Sequence, residues 1–187
     1  MSMFCQSLFK RLRRAALLLC VGLALPLGAQ ATPGEVPVGS MLREATLHGL
    51  NGPDRKLSDF RGRPLIINVW ASWCPPCIRE MGSLESLAWS DAGQQFMVIG
   101  ISTDDYPDAA KGLLRKNKAT LNHFIDERLN LENMLGADHL PLTVLVDAKG
   151  RVLEKVVGAR EWDSPEAVGH IQQVFHLKTT VKLLAKP

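Results

Sequence analysis

Leu65-Ile66-Ile67-Asn68-Val69-Trp70-Ala71-Ser72-Trp73-Cys74-Pro75-Pro76-Cys77 is the stretch of this 187-residue chain that decides its fold. Its first six residues are almost continuously apolar, which suits a strand buried on both faces of a sheet. Past the turn Ala71 to Trp73, the residues Cys77, Met81, Leu84 and Ala88 recur at spacings of four, three and four. They line one face of a helix, and Cys74 stands at its start. Downstream, Phe96-Met97-Val98-Ile99-Gly100-Ile101 reads as a second apolar strand, followed by a helix from near Pro107, where proline fits the first turn. Strand, helix, strand, helix implies a parallel unit. Leu142 to Val146 and Arg151 to Val157 flank the turn-rich Asp147-Ala148-Lys149-Gly150 and predict a β-hairpin whose second strand alternates, leaving one wet face. Ser164 as cap and Pro165 at the first helical position open an amphipathic helix reaching His176. Upstream, Met41 to Leu57 adds a short hairpin turned at Asn51-Gly52-Pro53.

The N-terminus places Lys10, Arg11, Arg13 and Arg14 before the apolar run Ala15 to Leu25, then Pro26 and Ala29-Gln30-Ala31. This is the anatomy of a secretory signal cleaved after Ala31. The run falls short of the roughly 20 apolar residues of a membrane span. The alternative is an uncleaved anchor lengthened by its neighbours. Lipidation at Cys20 is the minor reading, because Leu19 is larger than the residue that usually precedes a lipidated cysteine. The expected layout is a signal at 1–31, a Pro/Gly-rich spacer at 32–39, one domain at 40–177 and a basic tail at 178–187 carrying Lys178, Lys182 and Lys186. Loss of the four basic signal residues takes the formal charge from +3 to −1. A nearly neutral domain has no electrostatic footprint for nucleic acid.

With Cys5 and Cys20 in the signal, Cys74 and Cys77 are the cysteines left to the domain. One pair so close closes too small a loop to stabilise much, which leaves chemistry as its purpose. Disulfide exchange needs a thiolate to attack and a second thiol to release the mixed disulfide. A helix start favours a negative sulfur at Cys74, through unpaired N–H groups and the helix dipole, and puts Cys77 one turn inside as the protected resolving thiol. Pro75 and Pro76 have no N–H, so the Cys77 N–H is the nearest local donor. A moderately acidic Cys74 follows, suited to a reductant or isomerase rather than a strong oxidant. Half a zinc site is the plain alternative, but no second cysteine pair remains, and His48, His123, His139, His170 and His176 are scattered. No metal and no cofactor beyond a redox-active Cys74–Cys77 disulfide are expected.

The segment Asn68 to Glu80 closely resembles the TlpA-like branch of bacterial thioredoxin-fold proteins, the ResA and DsbE type. This branch includes extracytoplasmic reductases serving cytochrome c maturation. The likeness runs from about Val38 to His176, with weaker matches at Leu57-Ser58-Asp59-Phe60-Arg61-Gly62 and Leu140-Pro141-Leu142-Thr143. It implies an α/β thioredoxin-like fold with a central mixed sheet flanked by helices and an added N-terminal β-hairpin. It also implies a periplasmic enzyme, possible tethering to the inner membrane by the N-terminus, exported protein substrates with thiols or disulfides, and electrons from a membrane thiol-disulfide carrier. Carried over by position, Pro141 matches the family's cis-proline, which would lie against the disulfide and present the backbone of Leu140 to a peptide. Glu80 matches a glutamate that handles protons in some relatives; partial burial there would raise its pKa.

Asn68 stands where cytoplasmic thioredoxins carry a buried aspartate, and is expected to hydrogen-bond within the core. Gly82 departs from relatives that have a helix-kinking proline. Trp73, with Pro75, Pro76 and Leu140, is the expected partner-binding surface, and Trp70 belongs to the core. Asp104 and Asp105, before Pro107, are expected to be cap and first-turn acids of that helix rather than catalysts. Two other readings keep the fold. A peroxiredoxin-like peroxidase would carry Thr or Ser where this chain has Ala71. A non-catalytic metal- or apoprotein-binding module would add a distant histidine ligand and other residues between the cysteines.

Overall fold

The computed structural model describes residues 34–177. The signal read at 1–31 and the basic tail from Lys178 onward lie outside the described residues. Seven strands form one sheet in the order β2-β1-β5-β4-β3-β6-β7: β1 Thr46–Gly49, β2 Arg55–Lys56, β3 Leu65–Trp70, β4 Met97–Ser102, β5 Asn122–Ile125, β6 Leu142–Val146 and β7 Val152–Val157. Four helices flank it: α1 Pro75–Trp89, α2 Pro107–Lys116, α3 Asn130–Leu135 and α4 Pro165–Val174.

Strand β3 is central and buried at all six positions, as its apolar run requires. It runs parallel to β4 and antiparallel to β6, so Asn68 lies between Gly100 and Thr143. Strand β5, parallel to β4, places His123 beside Gly100 and extends that row. On the same face α1 contributes Leu84 and Leu87, and α4 contributes Ile171 and its C-cap residue Phe175, packed with Ile66, Val98, Leu145 and Trp162. The opposite face buries Leu65, Ile67 and Val69 against Leu131, Met134 and Leu135 of α3.

Most of the expected elements are present within a residue or two. The Asn51-Gly52-Pro53 turn joins β1 to β2, with Thr46 opposite Lys56. Helix α4 opens with the Ser164 hydroxyl accepting the Ala167 N–H at 3.2 Å and Pro165 in the first turn. The β6–β7 hairpin closes through Asp147 Oδ1, which accepts the Lys149 and Arg151 N–H groups at 2.8 and 2.9 Å, and through Gly150 at a φ of 93°. Helix α1 runs unbroken through Gly82. Two elements were not anticipated: β5, which separates the N-terminal hairpin from β4, and the one-and-a-half-turn α3. The described part of the segment read as a spacer is tied down. Val36 is buried with its N–H on Met134 O at 2.8 Å, Gly39 N–H reaches Val152 O at 2.8 Å, and Glu35 pairs with Lys155. An apolar Val36 gains more by entering the core than by staying in water, so the chain folds onto the domain sooner than its Pro/Gly content implies.

Candidate active site

Cys74 is the N-cap of α1. Its backbone is extended, at φ −97° and ψ 98°, and its Sγ accepts the Cys77 N–H at 3.3 Å, as the two prolines at the helix start require. The cysteines are joined as a disulfide, with Cα atoms 5.3 Å apart. The sequence places the attacking sulfur at the helix start and the protected one a turn inside. In the disulfide form Cys74 is only 4% exposed and Cys77 is 0%. The reason is that the pair packs in one apolar cluster with Trp70, Ala71, Met81 and Ala110, with Leu140 against that cluster. The two sulfurs thus differ in degree, Cys74 being the one nearer solvent. Trp73, next in the chain, is 68% exposed, and Pro75 is also exposed.

Glu80 lies one turn beyond Cys77 and is 3% exposed. Its Oε1 accepts Asn68 Nδ2–H at 2.8 Å, and its Oε2 accepts the Arg160 N–H and the Trp162 indole N–H, each at 3.0 Å. Burial pushes the Glu80 carboxyl above its ordinary value; the hydrogen bonds from Trp162, Arg160 and Asn68 pull back in part, because they favour the charged form. Asn68 also donates to Thr143 Oγ1 at 3.1 Å, which fixes its amide. The Ser83 hydroxyl donates to Glu80 O at 2.8 Å and accepts the Trp162 N–H at 3.1 Å, holding the loop after β7 against α1. Asn68 is therefore a core residue, as expected, but one joined to the carboxylate. Trp162 and Arg160 were not anticipated.

The Leu140–Pro141 peptide bond is cis, as the resemblance implied. Pro141 is buried, its carbonyl accepting the Gly158 N–H at 2.9 Å. His139 is exposed and pairs with Asp138 at 3.1 Å. Asp104 does not cap α2, whose N-cap is Tyr106. Its carboxylate turns back to the loop before Cys74: Oδ1 accepts the Ser72 hydroxyl at 2.6 Å, and Oδ2 accepts the Ser72 N–H at 2.9 Å and the Ser102 hydroxyl at 2.7 Å. A buried carboxylate is better satisfied by three donors here than by a frayed helix end.

Beside the disulfide cluster, the Trp70 and His123 rings meet edge to face at 5.4 Å, and both Trp70 Nε1 and His123 Nδ1 are buried without a partner among the described residues. Both converge on Gly100, where a Cβ would lie 2.1 Å from His123 Nδ1 and 2.9 Å from Trp70 Nε1, so only glycine fits. Among the described residues, no group of three or more His, Cys, Asp or Glu side chains is arranged to hold a metal ion. No helix among them is long and apolar enough to cross a membrane.

A family model described as Redoxin matches residues 37–171. Thiol-disulfide oxidoreductase ResA of Bacillus cereus is 26% identical over 160 residues, covering 84% of this chain and 91% of that protein. Thiol:disulfide interchange protein DsbE of Pseudomonas aeruginosa is 32% identical over 159 residues, covering 79% and 86% respectively. Among solved structures, the thioredoxin domain of a thiol-disulfide oxidoreductase from Bacteroides vulgatus superposes with a TM-score of 0.63 at 21% identity, over 74% of this chain and 98% of that one. This last likeness is one of fold.

Proposed function

The chain belongs to the Redoxin family and is a thiol-disulfide oxidoreductase of the ResA/DsbE type, and on that premise we propose that it reduces disulfides of exported proteins outside the cytoplasm through the Cys74–Cys77 dithiol. The observation that carries the direction is the poverty of donors at Cys74. Pro75 and Pro76 offer no N–H, and the Cys77 N–H stands at 3.3 Å. A thiolate with so little support leaves the dithiol less stable relative to the disulfide, and such a pair gives its electrons away.

In the proposed cycle the Cys74 thiolate attacks one sulfur of a partner disulfide. The S–S bond breaks, its far sulfur leaves as a thiolate, and a Cys74–partner disulfide forms. Cys77 then loses its proton and attacks Cys74 Sγ, which releases the partner's second thiolate and closes Cys74–Cys77. Two electrons pass to the partner and two protons end on its thiols. Glu80 is the proposed proton acceptor for Cys77: it sits one helical turn away, and burial raises its pKa above the ordinary carboxylate value, which makes it a stronger base. Leu140 and Pro141, with Trp73, Pro75 and Pro76, form the proposed partner-binding edge. The oxidised pair would be reduced again by a membrane thiol-disulfide carrier. An apocytochrome in cytochrome c maturation is the proposed class of partner. The basic and apolar N-terminus supports export to the periplasm, with tethering to the inner membrane if it is retained.

The test is reduction of a disulfide-bonded apocytochrome peptide by the freshly reduced protein, together with its potential against glutathione. Cys74→Ser is expected to abolish cleavage, and Cys77→Ala to accumulate the mixed disulfide on Cys74. A protein that cleaves no disulfide, or a Cys74→Ser variant as active as the parent, would sink the proposal.

A further inference from the structure

We propose that Asp104 is a positioning residue that sets the acidity of Cys74 by withholding the donors of Ser72 from its sulfur. The inference rests on Cys74 being the attacking thiol. Ser72 is two residues before Cys74 in the same turn, and carries two groups, an N–H and a hydroxyl, of the kind that stabilises a thiolate. Both are taken by Asp104, at 2.9 and 2.6 Å. Asp104 is itself 3% exposed and anchored to β4 through the Ser102 hydroxyl at 2.7 Å, with its own N–H on Ser102 Oγ at 3.2 Å. The carboxylate is thus fixed from the sheet side and does not follow the loop.

Other donors close to the sulfur are also spent or missing. The Cys74 N–H goes to Ala71 O at 3.1 Å, and the two prolines have none. The Cys77 N–H is left for the sulfur. Two neighbouring carboxylates are engaged elsewhere: Glu80 with Asn68, Arg160 and Trp162, and Asp138 with His139. Asp104 acts in two ways at once, since it stiffens the turn that presents Cys74 and keeps that turn from solvating a negative sulfur. Both disfavour a stable thiolate and favour a reducing pair.

The experiment is the pH dependence of iodoacetamide alkylation of Cys74 in the reduced protein, for the parent, Asp104→Asn, Ser72→Ala and the double variant. An asparagine oxygen cannot hold both Ser72 donors as a carboxylate does, so Asp104→Asn is expected to lower the Cys74 pKa by about one unit. The thiolate fraction near pH 6 then rises about tenfold, and alkylation about threefold once the weaker nucleophilicity of a more acidic thiol is counted. In the double variant part of the shift returns, because the freed hydroxyl is gone while the backbone N–H of residue 72 remains. Ser72→Ala alone leaves the pKa where it was. The inference is overturned if Asp104→Asn does not move the pKa, if the double variant matches Asp104→Asn, which would mean that the Ser72 hydroxyl takes no part, or if Ser72→Ala raises the pKa. The melting temperature of the oxidised form reads the structural loss separately. Should Asp104→Asn fail to fold, Asp104→Ser, which also removes the carboxylate, is read in its place with the same expected shift. Disulfide cleavage measured in parallel separates the two levels: no cleavage removes the proposed function, whereas cleavage with unmoved pKa values removes only the role of Asp104.

Discussion

Acidification should unfold this protein through His123. The residue is 5% exposed, its Nδ1 has no partner among the described residues, and the edge-on ring of Trp70 covers it at 5.4 Å. Burial pushes its pKa from 6.5 down to about 4, against a small opposing pull from Glu85. In the unfolded chain the same histidine titrates near 6.5. The folded state therefore binds its proton later than the unfolded state. Stability is full above pH 6.5, falls as the pH drops through 6.5, and stops falling once the folded form also protonates near pH 4. Between pH 7.5 and 4.5 the linkage amounts to about 2.5 kcal/mol, a large share of a typical domain's stability. His123→Leu removes the titration and the unpaired nitrogen while keeping most of the volume. The assay is urea unfolding of parent and variant with the disulfide intact, at half-unit steps across that range. The difference between them cancels the carboxylates, including Glu80, whose raised pKa contributes with the opposite sign. At pH 7.5 the variant should lie within about 1 kcal/mol of the parent or above it, since an unsatisfied buried polar atom has been deleted. At pH 4.5 it should be the more stable by a further 2.5 kcal/mol or so. A difference that stays constant to within about 0.5 kcal/mol across the range would refute the reasoning.

Glu80→Gln should slow release of the mixed disulfide by about 100-fold or more if Glu80 is the base, and should flatten the acid limb of the rate profile; an unchanged profile in stopped-flow turnover removes that role. Trp162→Phe deletes one of three donors to the carboxylate, so the acid limb should move to higher pH and stability should drop by about 1–3 kcal/mol, read by the same kinetics and by thermal unfolding. Ser164→Ala loses the cap of α4 and should lower stability by about 1 kcal/mol without touching the rate, which denaturation and turnover together check. Ile67→Ala, in the fully buried central strand, should cost about 2–5 kcal/mol and leave the thiol chemistry of the folded fraction intact.

Much of this was legible in local sequence. The run Leu65 to Trp70, the helix beginning at Cys74, Pro107 and the Ser164-Pro165 start are short-range signals whose causes lie within a few residues. Strand β5 was not legible because Asn122-His123-Phe124-Ile125 is too short to show a period, and its place depends on pairing with β4 and β1. Helix α3 is too short to stand by propensity. It starts after Leu129 in a left-handed conformation, at φ 54°, because Asp126 accepts the N–H groups of Asn130, Leu131 and Glu132 at 2.8–3.0 Å. The site divides the same way. Glu80 followed from its spacing after Cys77, but its partners Arg160 and Trp162 lie 80 and 82 positions away. Asp104 was misassigned because an acid shortly before a proline looks like a cap, and nothing local records that Ser72 and Ser102 compete for it.

The carboxylate of Glu80 is gripped by an amide from β3 and by two groups from the loop that follows β7. A chain interrupted after Val157 would keep both cysteines, the helix that presents them and every strand of the sheet, yet the Glu80 carboxylate would lose two of its three donors and the cover of Trp162. Such a fragment could still form and break disulfides, but without the tuned timing of proton transfer. On the role proposed for Glu80, the last loop to close completes the proton chemistry that the thiol pair alone lacks.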